Sequence, residues 1–174
     1  PGGLVAALAQ QVEADGGRLV RRSVTGFALD GGRLRAVRTP QGDLPVDAAV
    51  VAAGAHSKPL AAQLGDRVPL ETERGYHAVI RDPEAMPRLP TMDSDYKFVA
   101  TPMNAGLRLA GTVELAGLTA PPNWRRSKIL VERATQLCPK LAASYAEERI
   151  SMWMGHRPSL PDSLPVLGPS RASP

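Results

Sequence analysis

Arg157 is the residue whose neighbours best prepare it for chemistry. It lies in Gly155-His156-Arg157-Pro158-Ser159-Leu160-Pro161-Asp162, with prolines restricting the backbone on its C-terminal side and Trp153 and Met154 preceding it as an apolar wall. A planar guanidinium in such a setting can hold a carboxylate through two parallel hydrogen bonds. The segment reads as a rigid, proline-flanked turn, and Asp162 is the acid close enough in sequence to neutralise the arginine instead. Tyr76 and Tyr96 offer phenols to a ligand, although a core tyrosine with a satisfied hydroxyl is the commoner arrangement. His56, His77 and His156 are far apart, and with a single cysteine they make no metal-binding pattern. No nucleophile–base pair stands out. Cys138, beside Pro139 at a helix end, reads as structural.

The elements that must carry these residues are legible in outline. Leu4, Val5, Leu8, Ala9 and Val12 form a helical stripe, ended by Asp15-Gly16-Gly17. Leu19, Val20 and Val24 suggest a strand. Phe27–Leu29 and Leu34–Arg38 flank Asp30-Gly31-Gly32, a tight-turn signal, and Pro40–Asp43 is a second turn, so a small antiparallel meander is expected. The continuous apolar run from Ala48 to Ala53, within an expected strand over Val46 to Ala53, reads as buried on both faces of a parallel sheet, followed by a glycine bend at Gly54 and a helix capped by Ser57. That is half of a Rossmann-type unit. Beyond Gly65 the pattern changes: a strand over Gly75–Ile80, a hairpin of Lys97–Pro102 with Leu107–Glu114, a helix capped by Asn123 and stopped at Pro139, and a last strand over Glu148–Trp153.

The predicted fold class is therefore α+β. It comprises a mixed, mostly antiparallel sheet with a helix packed on it, plus part of a Rossmann-like domain made of helix, meander and strand. The expected divisions are residues 1–66, 67–155 and 156–174, the last a return segment toward the first domain.

Composition narrows the function class. At 174 residues and 43% hydrophobic content the chain can bury a core. No apolar run is long enough for a membrane-spanning helix. The formal charge of +4 is scattered, and only 4% of residues are aromatic, which argues against a nucleic-acid surface. Arg125 and Arg126 read as solvated. One cysteine fits a reducing compartment.

Val50-Val51-Ala52-Ala53-Gly54-Ala55, Arg74-Gly75-Tyr76, Gly106 to Glu114 and Gly155 to Gly168 follow one another in the order found in the D-amino-acid oxidase superfamily. The resemblance is nearest its D-amino-acid dehydrogenase and glycine oxidase branch and covers nearly the whole chain. It implies an FAD-dependent oxidoreductase that oxidises the C–N bond of an amino acid by hydride transfer to flavin, with a D-amino acid as the expected substrate. Its alternatives are a glycine- or sarcosine-type amine oxidase and a non-catalytic small-molecule-binding module. The resemblance also implies that Arg157 holds the substrate carboxylate, with Tyr76, Tyr96 and His156 as further substrate-binding candidates. Val24, Ala53 and Gly54 would lie against FAD, Val24 beside the adenine through backbone contacts and Gly54 by letting the main chain approach the ADP moiety closely. His156 replaces a usually apolar residue, and Ser163 stands where many relatives have glycine. Oxygen or a quinone is the implied electron acceptor; no metal or nucleic acid is expected. The implied location is cytoplasmic, or peripheral on the inner membrane as in similar dehydrogenases. No Gly-x-Gly-x-x-Gly fingerprint is present, so the chain is expected to be a fragment of a flavoenzyme that binds FAD weakly or not at all by itself.

Overall fold

A computed structural model describes residues 2–144 and 146–172. The element order is α1 (Gly2–Ala14), β1 (Gly26–Asp30), β2 (Arg33–Arg38), β3 (Leu44–Pro45), α2 (Ser57–Gln63), β4 (Glu71–Ile80), β5 (Thr91–Asp93), β6 (Phe98–Met103), β7 (Gly106–Glu114), α3 (Arg125–Leu137) and β8 (Ile150–Ser159). These fall into two compact units. One holds the residues through Val51, Leu60–Asp66 and those from Pro169 on; the other holds Ala52–Pro59 and Arg67–Gly168.

The first unit contains α1 and a three-stranded antiparallel meander in the order β1-β2-β3. Helix α1 ends where Gly16 turns to φ 86°, and the Gly17 N–H donates to the Val12 carbonyl at 2.8 Å, a glycine-dependent helix stop. Gly31 and Gly32, both with positive φ, make the two-residue turn between β1 and β2. The apolar stripe of α1 (Leu4, Val5, Leu8, Val12) is exposed. Two expected strands do not form. Leu19, Val20 and Val24 lie in irregular, exposed backbone, and the run from Val46 to Ala53 pairs with no strand among the described residues. Val50 is 92% exposed. An apolar run becomes a buried parallel strand only where neighbours supply its backbone hydrogen bonds and cover its faces.

The second unit is a five-stranded antiparallel sheet, order β5-β6-β7-β4-β8, with α3 across one face. Strand β4 alternates along its length: Thr72, Arg74, Tyr76, Ala78 and Ile80 are buried, while Gly75, His77 and Val79 on the other side are only partly so. Ala78, Ile80, Phe98, Ala100, Leu107 and Leu109 from the sheet meet Leu130, Val131 and Ala134 from α3 to form the core. The helical residues recur at the three- and four-residue spacing of one helix face. Helix α3 begins one residue later than expected, with Trp124 at its cap and no side-chain cap. Asn123 instead donates its backbone N–H to the Tyr76 hydroxyl at 3.0 Å. Strand β8 runs six residues beyond Trp153, so Arg157 belongs to an edge strand and not to a turn.

Candidate functional site

Strands β4 and β8 pair without interruption, with Glu73 opposite Arg157, Gly75 opposite Gly155 and His77 opposite Trp153. Successive strand residues point to opposite faces. Arg157, Trp153, Glu73 and His77 therefore share the face that α3 does not cover. His156, Arg74 and Tyr76 share the covered one.

On the open face Arg157 is exposed, and one of its amine nitrogens donates to the Glu73 carboxylate at 3.3 Å. Ser159 Oγ donates to the other oxygen of Glu73 at 3.0 Å. The acid expected beside the arginine, Asp162, instead accepts from the Leu164 N–H. A guanidinium has five N–H donors, so a single bond to Glu73 leaves a fork able to meet a second carboxylate. The His77 and Trp153 rings stack at 4.8 Å and 23°. Burial, then the charge of Arg108, lowers the His77 pKa, and its buried Nδ1 has no hydrogen-bond partner among the described residues.

The covered face is organised by a buried cation. Arg74 has no exposed surface and lies 3.6 Å from Glu114, which Arg126 approaches at the same distance. The Tyr76 hydroxyl donates to Glu114 at 2.5 Å. That hydrogen bond is the largest influence holding the Glu114 carboxyl below its ordinary range; burial opposes it, and Arg74 and Arg126 add to it. Nearby, His156 Nδ1 and Thr72 Oγ1 are hydrogen-bonded at 3.0 Å, and His156 meets His56 edge to face.

The structure thus separates the residues nominated for substrate. Tyr76 is 2% exposed, with its hydroxyl engaged by Glu114 and Asn123; it is a core residue. His156, though adjacent to Arg157, points to the opposite side. Tyr96 stacks its ring under the Arg133 guanidinium at 3.9 Å, beside a depression of about 490 Å³ lined by Phe98, Thr112, Asn123, Arg125 and Arg126. That depression lies on the α3 side and does not include Arg157. Glu73, Gly75 and His77 were not read as site residues, because their relation to Arg157 rests on a pairing across 84 residues.

Of the residues nominated for cofactor, Gly54 has φ 56° and open space where a Cβ would stand. Its backbone can approach a ligand closely, as the expected role needs. The Ala53 N–H is donated to Ser57 Oγ at 3.0 Å and its carbonyl accepts the His56 N–H at 3.1 Å, which leaves its methyl for contact. Val24 is exposed in irregular backbone. Among the described residues no cluster of His, Cys, Asp or Glu is placed to hold a metal, and no helix is long and apolar enough to cross a membrane.

A D-amino-acid oxidase of Bradyrhizobium diazoefficiens is 54% identical over 99% of the chain, which covers 41% of that protein. A D-amino acid dehydrogenase of Rhizobium rhizogenes is 33% identical over 95% of the chain and 39% of its own length. The chain thus spans about two fifths of these relatives. Among solved structures, glycine oxidase from Geobacillus kaustophilus superposes with a TM-score of 0.77 at 24% identity, over 98% of the chain and 46% of that enzyme. That likeness shows a shared fold. The FAD dependent oxidoreductase family matches residues 1–174, and the chain belongs to that family.

Proposed function

We propose that this chain carries the substrate-binding sheet of an FAD-dependent enzyme that oxidises the C–N bond of an amino acid, with a D-amino acid as substrate. The observation that carries the proposal is Arg157, an exposed guanidinium with donors to spare on the open sheet face. The names of the relatives, D-amino-acid oxidase and D-amino acid dehydrogenase, support the substrate class. Bound FAD would supply the hydride acceptor. The protein's part is to fix the carbon bearing the amine, which a two-point hold on the carboxylate achieves by restricting orientation. Glu73 keeps the guanidinium in place in the absence of substrate. Val24, Ala53 and Gly54 are the backbone positions proposed to lie against FAD, and this chain by itself is proposed to retain FAD weakly or not at all. Oxygen or a quinone as the final acceptor distinguishes an oxidase from a dehydrogenase.

The test is Arg157→Ala in the full-length protein. Truncating one partner of a desolvated charge pair costs about 2–5 kcal/mol, or roughly 30- to several-thousand-fold in affinity. A matching loss in kcat/KM for carboxylate-bearing amines, at unchanged flavin content, is the expected result. Arg157→Lys restores only part, because an ammonium keeps the charge without the fork. The ion pair with Glu73 is largely exposed, and such pairs contribute about 0–1 kcal/mol, so the melting temperature moves little. Wild-type kinetics in the Ala variant would remove Arg157 from the site.

A further inference from the structure

Between the Arg157–Glu73 pair and the Trp153–His77 stack, the open face of the sheet carries a cross-strand pair of glycines, Gly75 opposite Gly155. Glycine in a strand interior weakens the strand and often marks close approach by a ligand or another backbone. The two glycines have different explanations. At Gly155 a Cβ would overlap the Trp153 indole, so the ring lies over that residue. At Gly75 a Cβ would meet nothing within 4 Å, and the residue does not have the left-handed φ that favours glycine. Neither packing nor backbone conformation within this chain calls for glycine at position 75.

The missing side chain leaves a slot with a polar end and an apolar body. Val113 pairs with Gly75 from β7 on the same face and is exposed. The Trp153 indole, 54% exposed and lying over Gly155, forms the wall on the β8 side, with the His77 ring stacked on it. Arg157 and Glu73 stand one strand repeat from the glycines, about 7 Å, and two repeats from the Trp153 backbone. A ligand whose carboxylate rests on Arg157 would therefore lay the rest of its length over Gly75, against indole and valine. A glycine molecule would leave that slot empty.

We propose that the slot over Gly75 receives the substrate's side chain, and that Gly75, Trp153 and Val113 make the site select amino acids with bulky apolar side chains. This rests on Arg157 holding the substrate carboxylate. Gly75 sets the depth of the slot, and Trp153 supplies the apolar surface that a small substrate cannot use.

The experiment compares kcat/KM for phenylalanine and alanine, in whichever enantiomer is turned over, in the full-length protein and its Gly75→Val variant. The wild type is expected to prefer phenylalanine. Filling the slot should lower the phenylalanine value about 10- to 200-fold, the range over which hydrophobic pockets discriminate, with alanine changed far less and flavin content unchanged. Preference for alanine or glycine in the wild type, or equal loss for both substrates, would overturn the proposal. So would loss of flavin from Gly75→Val, which would give the slot to the cofactor. If turnover is absent, calorimetric titration of the full-length protein with 3-phenylpropionate and with propionate decides the question. Tighter binding of the phenyl acid, abolished by Gly75→Val, supports the slot; equal binding rejects it. The Arg157→Ala kinetics judge the carboxylate contact separately, because that contact can fail while the side-chain ratio still responds to position 75.

Discussion

Glu114 shows how one carboxylate can hold a large part of a buried face. It accepts the Tyr76 hydroxyl and lies beside both Arg74 and Arg126. Removing it leaves Arg74 as an uncompensated charge in the interior, which is destabilising. Glu114→Ala is therefore expected to lower the denaturation midpoint, whereas an unchanged midpoint would mean that water reaches Arg74. The depressed Glu114 pKa has a definite sign. Its stabilising contribution is fully present above the unfolded value of about 4.3 and is lost as pH falls through the lower folded value. Melting curves of wild type and Glu114→Gln should converge as that acidic window is crossed. His77 depends on pH for the opposite chemical reason: burial and Arg108 disfavour its cation. Stability should be level above about 6.5 and fall below it as the unfolded state gains the proton first. His77→Phe, which keeps a ring against Trp153, should flatten that part of the profile; an unchanged slope would assign it to other groups. At this scale the sequence made Arg157 conspicuous through its prolines and apolar neighbours. Its partner was not legible: Asp162 offered an alternative near in sequence, while Glu73 is near only once β8 has paired with β4.

Local signals predicted elements well where glycine or helical spacing governed them. The glycine stop after α1, the Gly31-Gly32 turn and the β6–β7 hairpin all depend on contacts within a few residues. Gly106 adds a long-range demand: it has φ 120°, and a Cβ there would overlap the Ile80 carbonyl. Gly106→Ala should cost about 1–3 kcal/mol from backbone strain alone, read as a shift in the urea midpoint, and an unaltered midpoint would show that the hairpin can relax. Ser163, noted from the family resemblance as a replacement for glycine, has φ 60°; the turn uses the conformation that glycine accepts most easily. The Val46–Ala53 run was misread as a buried strand because hydrophobicity records what a segment can bury, whereas a strand also needs partners for its N–H and C=O groups.

Across the whole molecule, order should be unequal. The five-stranded sheet with α3 holds the continuous core, while α1 and the Val46–Ala53 run expose most of their apolar side chains. In the 174-residue chain by itself, native-state hydrogen exchange should therefore be slowest in β4, β6, β7 and α3 and fastest in α1 and residues 46–53; uniform protection would contradict this division. The α+β class and the helix on an antiparallel sheet were readable from the switch in pattern near Pro69. Which nominated residues would share a face was not readable, because it depends on where β8 begins to pair. That pairing also constrains how the chain can change in length. A one-residue insertion or deletion between Ile150 and His156 would shift the alternation of the remaining strand, turning Arg157 inward and His156 outward. Two residues could be added or removed without exchanging those faces. Through β8, length variation compatible with the arginine's outward position should come in pairs, a restriction that the exposed loops on either side do not share.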